Sequence, residues 1–181
     1  MKNPFKVIFA LTLCFFISSC GSGLNAGLEA YQSPDGRYGF FYPTGWTRVK
    51  VEGGPEIIYH DLINSNETLS LVVSDVKKDI ELDQLGTPLE VGQTLIDKVI
   101  APAGSGRTVK LLNANQREDE KHVFYDLEYQ LNLNEQPRHE LATVVIDRGS
   151  LYTFAVGTNE DRWNKVEKLF VNVIQSFNFL I

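Results

Sequence analysis

The stretch RHELATVVIDRGSLYTFAVGTNEDRW, which runs from Arg138 to Trp163, decides how this chain is expected to fold. Two apolar, β-branched halves at 141–147 and 151–156 flank the polar break Asp-Arg-Gly-Ser at 147–150. A glycine in such a break can adopt a positive φ, which tight hairpin turns require. The pattern therefore predicts a β-hairpin at this point of the chain.

The register of that hairpin decides which residues meet at its open end. If Asp147 faces Ser150 across the turn, then His139 lies opposite Thr158. Two acidic residues follow at 160–161, where a helix is predicted to begin because carboxylates are favourable at a helix N-terminus. A histidine held near two carboxylates and a helix start is the most site-like arrangement in the sequence.

On both sides of the hairpin, strand and turn signals alternate, with two helical patterns among them. The strand at 123–133 is the clearest, because its apolar residues recur at every second position. Thr87 precedes Pro88 and is followed three positions later by Glu90, a capping box that predicts a helix start. The further predicted strands lie at 31–32, 38–42, 46–51, 57–63, 68–76 and 108–115, and the predicted helices at 88–100 and 159–177.

Many strands interrupted by only two helices predict the fold class. They indicate an α+β domain, in which a twisted antiparallel sheet has helices covering its faces. The composition is even over 31–181, without an internal repeat or a second linker. About 150 residues of this kind form one domain with a sizeable core.

The N-terminus has the layout of a secretory signal peptide over residues 1–19. Two lysines precede an apolar segment at 7–17, which is too short to span a bilayer, since that takes ~20 residues. Small residues then lead to Cys20, as in a bacterial lipobox, where the cysteine is lipidated and becomes the new N-terminus. The alternative is an ordinary signal peptide with a chance cysteine. The small residues that follow make 20–30 a predicted lipidated, flexible tether.

The net charge limits the classes of partner, and the cysteine content limits the disulfides that the chain can form. Removal of 1–19 takes away Lys2 and Lys6 but no acidic residue, so the 17 basic residues become 15 against 23 acidic ones, a net charge of −8. That balance argues against nucleic acid and anionic lipid headgroups as broad partners. Cys14 would be removed as well, which leaves Cys20 alone and no disulfide.

The sequence offers little that indicates catalysis. No phosphate-binding loop, dinucleotide fingerprint, GxSxG, HExxH or CxxC motif occurs. His60 and His122 have no serine or cysteine motif nearby and are interpreted as surface or edge histidines. Acid–base catalysis by carboxylates alone stays open, because 23 acidic residues offer many accidental pairs. The chain is predicted not to be an enzyme.

His139, Glu160 and Asp161 form the candidate metal site. An imidazole nitrogen and carboxylate oxygens suit Zn²⁺ or Mn²⁺, but two or three ligands need water or a partner protein to complete the shell. The alternative is that the two acids only stabilise the helix start while His139 caps a strand. No cofactor is required, and weak binding of Zn²⁺, Mn²⁺ or Ca²⁺ is the most that the cluster predicts.

Several short segments, taken in their order and spacing over 31–181, resemble a known family. They are Asp35-Gly36-Arg37-Tyr38-Gly39-Phe40, Tyr42-Pro43-Thr44-Gly45-Trp46, His60-Asp61-Leu62, Leu71-Val72-Val73-Ser74, Arg138-His139-Glu140-Leu141-Ala142, Gly149-Ser150-Leu151-Tyr152, Asp161-Arg162-Trp163 and Val173-Ile174-Gln175-Ser176-Phe177. Together they are similar to the PsbP family of photosystem II extrinsic proteins. With its lipobox-like segment ending at Cys20, the chain resembles the cyanobacterial lipoprotein branch of that family.

The resemblance implies an α-β-α sandwich and a non-enzymatic lumenal role at the thylakoid membrane, in support of photosystem II assembly or stability and of its oxygen-evolving side. The implied partners are photosystem II subunits or assembly intermediates, and the membrane through a lipid anchor, but no nucleic acid. In plant members a histidine matching His139 and an acid near Glu160 are implicated in metal binding. The alternative function is a free-standing metal- or ligand-binding lipoprotein that acts in metal handling.

The lipid anchor can be tested at Cys20. We expect Cys20→Ser to leave the protein soluble or unprocessed, because the acyl chains have no other attachment point at the cleavage site. Membrane fractionation and the intact mass of the mature N-terminus measure this. Unchanged fractionation together with a wild-type mass that lacks acyl chains would remove the lipoprotein prediction.

Overall fold

A computed structural model describes residues 26–77, 79–133 and 136–180 of the chain. Its strands are β1 (Leu28–Gln32), β2 (Tyr38–Pro43), β3 (Thr47–Val49), β4 (Ile57–His60), β5 (Thr68–Asp75), β6 (Thr108–Glu118), β7 (Val123–Leu133), β8 (Gln136–Asp147), β9 (Ser150–Asn159) and β10 (Asn178–Phe179). Its helices are α1 (Pro88–Leu95) and α2 (Trp163–Gln175), with 3₁₀ turns at Leu82–Leu85 and Glu160–Arg162 and a π-helical segment at Ile96–Ile100. No helix among these residues is long and apolar enough to cross a bilayer.

Two antiparallel sheets organise the domain. Seven strands form the larger sheet in the order β3-β4-β5-β9-β8-β7-β6, and three form the smaller one in the order β1-β2-β10. Alternate residues of the central strands face opposite ways, and each face has its own core. One core contains Phe124 of β7 and Phe170 of α2, together with residues of β2, whereas the other contains Tyr125 of β7 and Val91 of α1. The predicted α+β class and helix-covered antiparallel sheet are therefore confirmed.

The β8–β9 hairpin has the predicted register. Asp147 pairs with Ser150, and His139 pairs with Thr158 at the open end. The two turn residues between them, Arg148 and Gly149, have φ values of 49° and 77°. Positive φ at both positions is the geometry of a type I′ turn, whose twist matches that of the flanking strands. A two-residue turn leaves one register available, so the turn determines which side chains share a face.

The helix α1 packs very closely on the outer strands of the larger sheet. Thr87 and Glu90 form the predicted capping box at its start. A Cβ atom added at Gly92 would lie 2.9 Å from a methyl carbon of Leu111 and 3.3 Å from one of Leu127. A glycine in the helix interior costs about 1 kcal/mol relative to alanine, but here it allows the helix backbone to approach the sheet.

Two predicted boundaries were wrong. The tether was predicted to extend over 20–30, but β1 begins at Leu28 and pairs with β2 from that residue on. The strand predicted at 57–63 ends at His60, and 61–67 forms a loop that we call the 61–67 loop. The predicted signal peptide 1–19, Cys20 and the first part of the tether lie outside the described residues.

Candidate functional site

His139 lies at the centre of a group of paired charged and aromatic side chains. The hairpin register turns it towards the core that contains α2, and only 4% of its surface is exposed. Its ring stacks on the indole of Trp163, the first residue of α2, with 3.8 Å between the ring centroids and 8° between the planes. Stacking at this distance buries both rings against each other and fixes where α2 begins.

Two carboxylates bond to the two ring nitrogens of His139. Nε2 lies 2.8 Å from Oε1 of Glu128, and Nδ1 lies 3.2 Å and 3.3 Å from the carboxylate oxygens of Glu160. A histidine donates a hydrogen bond from both nitrogens only when it is protonated, so the imidazolium form satisfies both carboxylates. We call His139, Glu128, Glu160 and Trp163 the His139 cluster.

The predicted site residues are partly brought together. His139 and Glu160 meet as the hairpin register predicted, whereas Asp161 is exposed beside them and the two ring nitrogens bond to other carboxylates. Glu128 was missed by the sequence reasoning. It comes from β7 as a diagonal cross-strand neighbour, because its own partner Leu141 lies two pairs along from the Gln130–His139 pair, on the same face. Only the β7–β8 register identifies it, and the turn between these strands has no sequence signal that fixes this register.

The His139 cluster fits a bound metal ion only in part. His139 and Glu160 provide one nitrogen and one carboxylate, but a metal would have to displace the proton through which that ring nitrogen donates its hydrogen bond. No group of three or more His, Cys, Asp or Glu side chains in the described ranges is arranged to hold a metal ion. Metal binding by His139, Glu160 and Asp161 therefore stays a prediction.

Two arginines connect the His139 cluster to the 61–67 loop. Arg162, beside the cluster, forms an ion pair with Glu67, whose surface is only 4% exposed. Arg138 donates to the backbone carbonyl of Asn66 at 2.6 Å and to the hydroxyl of Thr68 at 3.1 Å. Charge-assisted hydrogen bonds are among the stronger polar contacts in proteins. The loop is therefore held from both β8 and the start of α2.

Glu140 points to the opposite face of β8, where it is half-buried. Burial of its carboxyl group raises its pKa above the ordinary value of 4.5, and the charge of Arg138 offsets this only in part. Close packing contributes to this, since a Cβ atom added at Gly157 would lie 3.1 Å from Nη2 of Arg138 and 3.2 Å from Cγ of Glu140.

An open cleft of about 310 Å³ lies next to the His139 cluster, between the end of α2 and strands β6 and β7. Arg117 crosses it, with an ion pair to Asp126 at 2.8 Å and its guanidinium 3.9 Å from the ring centroid of Phe124. The lining contains four carboxamide side chains but no serine, cysteine or histidine. It therefore lacks a serine or cysteine nucleophile with a histidine base, the arrangement that acyl transfer commonly uses.

The two other histidines lie beside strands. His60 is half-buried at the end of β4, as expected for an edge histidine. The Nδ1 atom of His122 lies 3.4 Å from a carboxylate oxygen of Asp119, and its Nε2 atom lies 3.2 Å from one of Asp147. Its side chain is only 11% exposed and packs against Phe179, with 4.5 Å between the ring centroids, so the interpretation of His122 as a surface histidine was wrong.

These features define the class of the molecule: an α-β-α sandwich with an ionic cluster built around one buried histidine. The chain belongs to the PsbP family, whose sequence profile matches residues 26–179. The family resemblance predicted from short segments of the sequence is therefore confirmed.

Individual relatives match most of the chain. It is 37% identical over 175 residues to CyanoP of Thermosynechococcus vestitus, which covers 93% of this chain and 96% of that protein. It is 37% identical over 176 residues to CyanoP of Synechocystis sp., covering 95% and 94%. The solution structure of Synechocystis CyanoP superposes with a TM-score of 0.74 at 36% identity, over 91% of this chain and 98% of that one.

The buried position of His139 predicts a structural effect. We expect His139→Ala to lower the free energy of unfolding by about 3 kcal/mol, because it removes the stack on Trp163 and leaves two carboxylates without their partner. Urea denaturation measures this, with His60→Ala as a half-buried control that should cost less than about 1 kcal/mol. Equal costs for the two variants would contradict the structural role of the His139 cluster.

The raised pKa of Glu140 predicts a pH-dependent effect on stability. Its protonated form is favoured in the folded state, so the folded protein loses stability as pH rises from 4.5 through the raised folded pKa. Glu140→Gln removes this loss and should be more stable than wild type at neutral pH, by an amount that disappears towards pH 4.5. Denaturation curves at several pH values measure it, with the exposed Glu120→Gln as control. A stability difference independent of pH would contradict the assignment.

Metal binding can be tested by titration calorimetry with Zn²⁺ and Mn²⁺. Glu160→Gln should weaken metal binding about tenfold, because one carboxylate ligand is lost. Metal binding should also weaken as the pH is lowered, because protons compete with the metal for the same nitrogen of His139. Asp161→Asn is the matched variant for the third predicted ligand. Wild-type affinity in Glu160→Gln would place any metal site elsewhere.

Proposed function

We propose that this protein is a non-enzymatic accessory lipoprotein of photosystem II, held on the lumenal side of the thylakoid membrane, where it supports assembly or stability of the photosystem. The observation that carries this proposal is the family match over residues 26–179, together with CyanoP relatives that cover nearly the whole chain. Its fold is that of a CyanoP solution structure over 91% of the chain.

The pairing of ionisable side chains with one another supports a non-enzymatic role. Within the described residues, His139 and His122 each have a carboxylate near both ring nitrogens, and the arginines of the His139 region bond to loop acceptors. A catalytic site needs a titratable group that faces a cleft and is available to a substrate. These groups bond to one another and stabilise the fold, which leaves them less available to a substrate.

The metal-handling alternative is less well supported. It requires a site complete within this chain, and the described residues hold no cluster of three or more ligating side chains. At His139 a metal would have to replace an existing hydrogen bond to Glu128 or Glu160. Binding of that kind is weak and depends on pH, which suits a handling protein poorly.

A lipid at Cys20 would hold the domain close to the membrane. Because β1 begins at Leu28, only seven residues separate it from Cys20. Even a fully extended chain of that length spans only about 25 Å. The domain could therefore reach the membrane-proximal parts of a lumenal surface but not distant ones.

Co-purification tests the proposed function directly. We expect the tagged wild-type protein to be recovered with photosystem II or its assembly intermediates in mild detergent, and Cys20→Ser to be recovered in lower amount, because anchoring raises its local concentration. Quantitative mass spectrometry of the tagged fraction is the measurement. Absence of photosystem II subunits from the wild-type fraction would contradict the proposal, and turnover of a substrate in their place would favour an enzyme.

A further inference from the structure

The 61–67 loop presents two large aliphatic side chains to solvent. Leu62 is 66% exposed and Ile63 is 90% exposed, the highest value for a large apolar side chain in the described ranges. We call this pair the apolar tip. Single exposed apolar residues are common, whereas neighbouring exposed apolar side chains form a contiguous patch, and such patches can mark interaction sites.

The apolar tip is held in place by hydrogen bonds within its own loop. The carboxylate of Asp61 accepts from the backbone N–H of Ile63 at 2.8 Å and from the side chain of Asn64 at 2.7 Å. The bond from Asn64, then that from Ile63, keeps the pKa of Asp61 below its usual value of 3.8, so its charged form persists. Glu67 closes the loop by donating its N–H to Asn64 O at 2.7 Å.

An ion pair and a hydrogen bond from outside the 61–67 loop also hold the loop in place. Arg162 bonds to Glu67, and Arg138 bonds to the carbonyl of Asn66, so the loop is fastened to the start of α2 and to β8. A segment that is already ordered loses little conformational entropy when it binds. The fold therefore fixes an apolar pair in solvent, although a mobile loop could have folded that pair back onto the surface.

The chain enters the domain near the base of the same loop. Gly27 accepts a hydrogen bond from Thr44 N, and β3 begins three residues later at Thr47, which pairs with His60. His60 is the last residue before the 61–67 loop. Lipidation at Cys20 would therefore bring the apolar tip, as well as the domain, to the membrane-proximal side.

Charges around the apolar tip indicate which surface it fits. With the His139 imidazolium included, the loop and the adjoining His139 region carry three positive groups against five acids, a net charge of −2. The acids are Asp61, Glu67, Glu128, Glu160 and Asp161, and the other positive groups are Arg138 and Arg162. The whole chain carries a net charge of −6. An acidic surround is repelled by an anionic lipid surface and attracted by basic side chains.

We propose that Leu62 and Ile63 dock into an apolar socket, bordered by basic side chains, on the lumenal surface of a membrane-embedded protein. This inference rests on the proposed association with photosystem II and identifies the surface that makes the contact. The apolar pair contributes affinity by leaving water, and the acidic surround favours a basic partner.

Binding of purified wild-type and variant proteins to photosystem II particles that lack this protein tests the proposal. The double substitution Leu62→Ser with Ile63→Ser should raise the Kd at least about tenfold, because two exposed aliphatic groups no longer gain from burial. Asp61→Ala should raise the Kd severalfold, because the tip keeps its side chains but loses its order. Binding should also weaken as salt is added.

The matched control is the double substitution Leu89→Ser with Val99→Ser. These residues are 64% and 61% exposed and lie at α1 and the π-helical segment, on the face of the sheet opposite α2. The control should bind like wild type. Both double variants should unfold at the wild-type temperature, since exposed side chains contribute little to stability.

Each other outcome overturns the inference in a recognisable way. If the Leu62→Ser, Ile63→Ser variant binds as wild type does, the docking surface lies elsewhere while the proposed function stands. If wild type itself does not bind, both proposals fail. If the variant loses affinity for vesicles of thylakoid lipid but keeps its affinity for the photosystem particles, the tip meets lipid and the protein-docking inference is wrong.

Discussion

The stack of His139 on Trp163 holds together the end of the domain where strands β7 and β8 meet the start of α2. It joins the hairpin strand β8 to the first residue of α2, and the carboxylates at the two ring nitrogens add β7 and the 3₁₀ turn before α2. Strands β7 and β8 and the segment that leads from the 3₁₀ turn into α2 thus meet at one imidazole. A single substitution can loosen all of them, because a buried polar group that loses its partners costs more than the bond itself contributes.

Charged side chains next to the His139 cluster hold the 61–67 loop in place. Arg138 and Arg162, the neighbours of the His139 cluster residues in the RHEL and DRW segments, extend the bonded network to the 61–67 loop. Two of the short segments that carry the resemblance to the PsbP family therefore contribute parts of one structural unit. A protein that works by docking needs such ordered surface more than it needs a cleft with free titratable groups. The geometry and the family relationship therefore support the same kind of function.

Sequence reasoning succeeded where local chemistry left one choice. The Arg148–Gly149 turn admits a single register, so the approach of His139 to Glu160 follows from the amino-acid sequence alone. The contact with Glu128 does not, because the β7–β8 register depends on packing of two whole strands. The apolar run through Leu62 and Ile63 reads as a strand, but Asp61 offers its backbone a competing set of hydrogen bonds and ends β4 at His60. Likewise, Leu28 to Ala30 lack a strand signal and join the sheet only because β2 provides a partner.

Hydrogen–deuterium exchange of the full-length protein, free and bound to photosystem II particles, tests the central claim most directly. The claim is that the end of the domain built on the His139 cluster is the ordered surface that meets the partner. Binding should slow amide exchange in the 61–67 loop and in the turn at Glu160–Arg162, while exchange in α1 and at the β6 edge stays unchanged. Protection confined to α1 or β6, with the 61–67 loop exchanging as in the free protein, would contradict it.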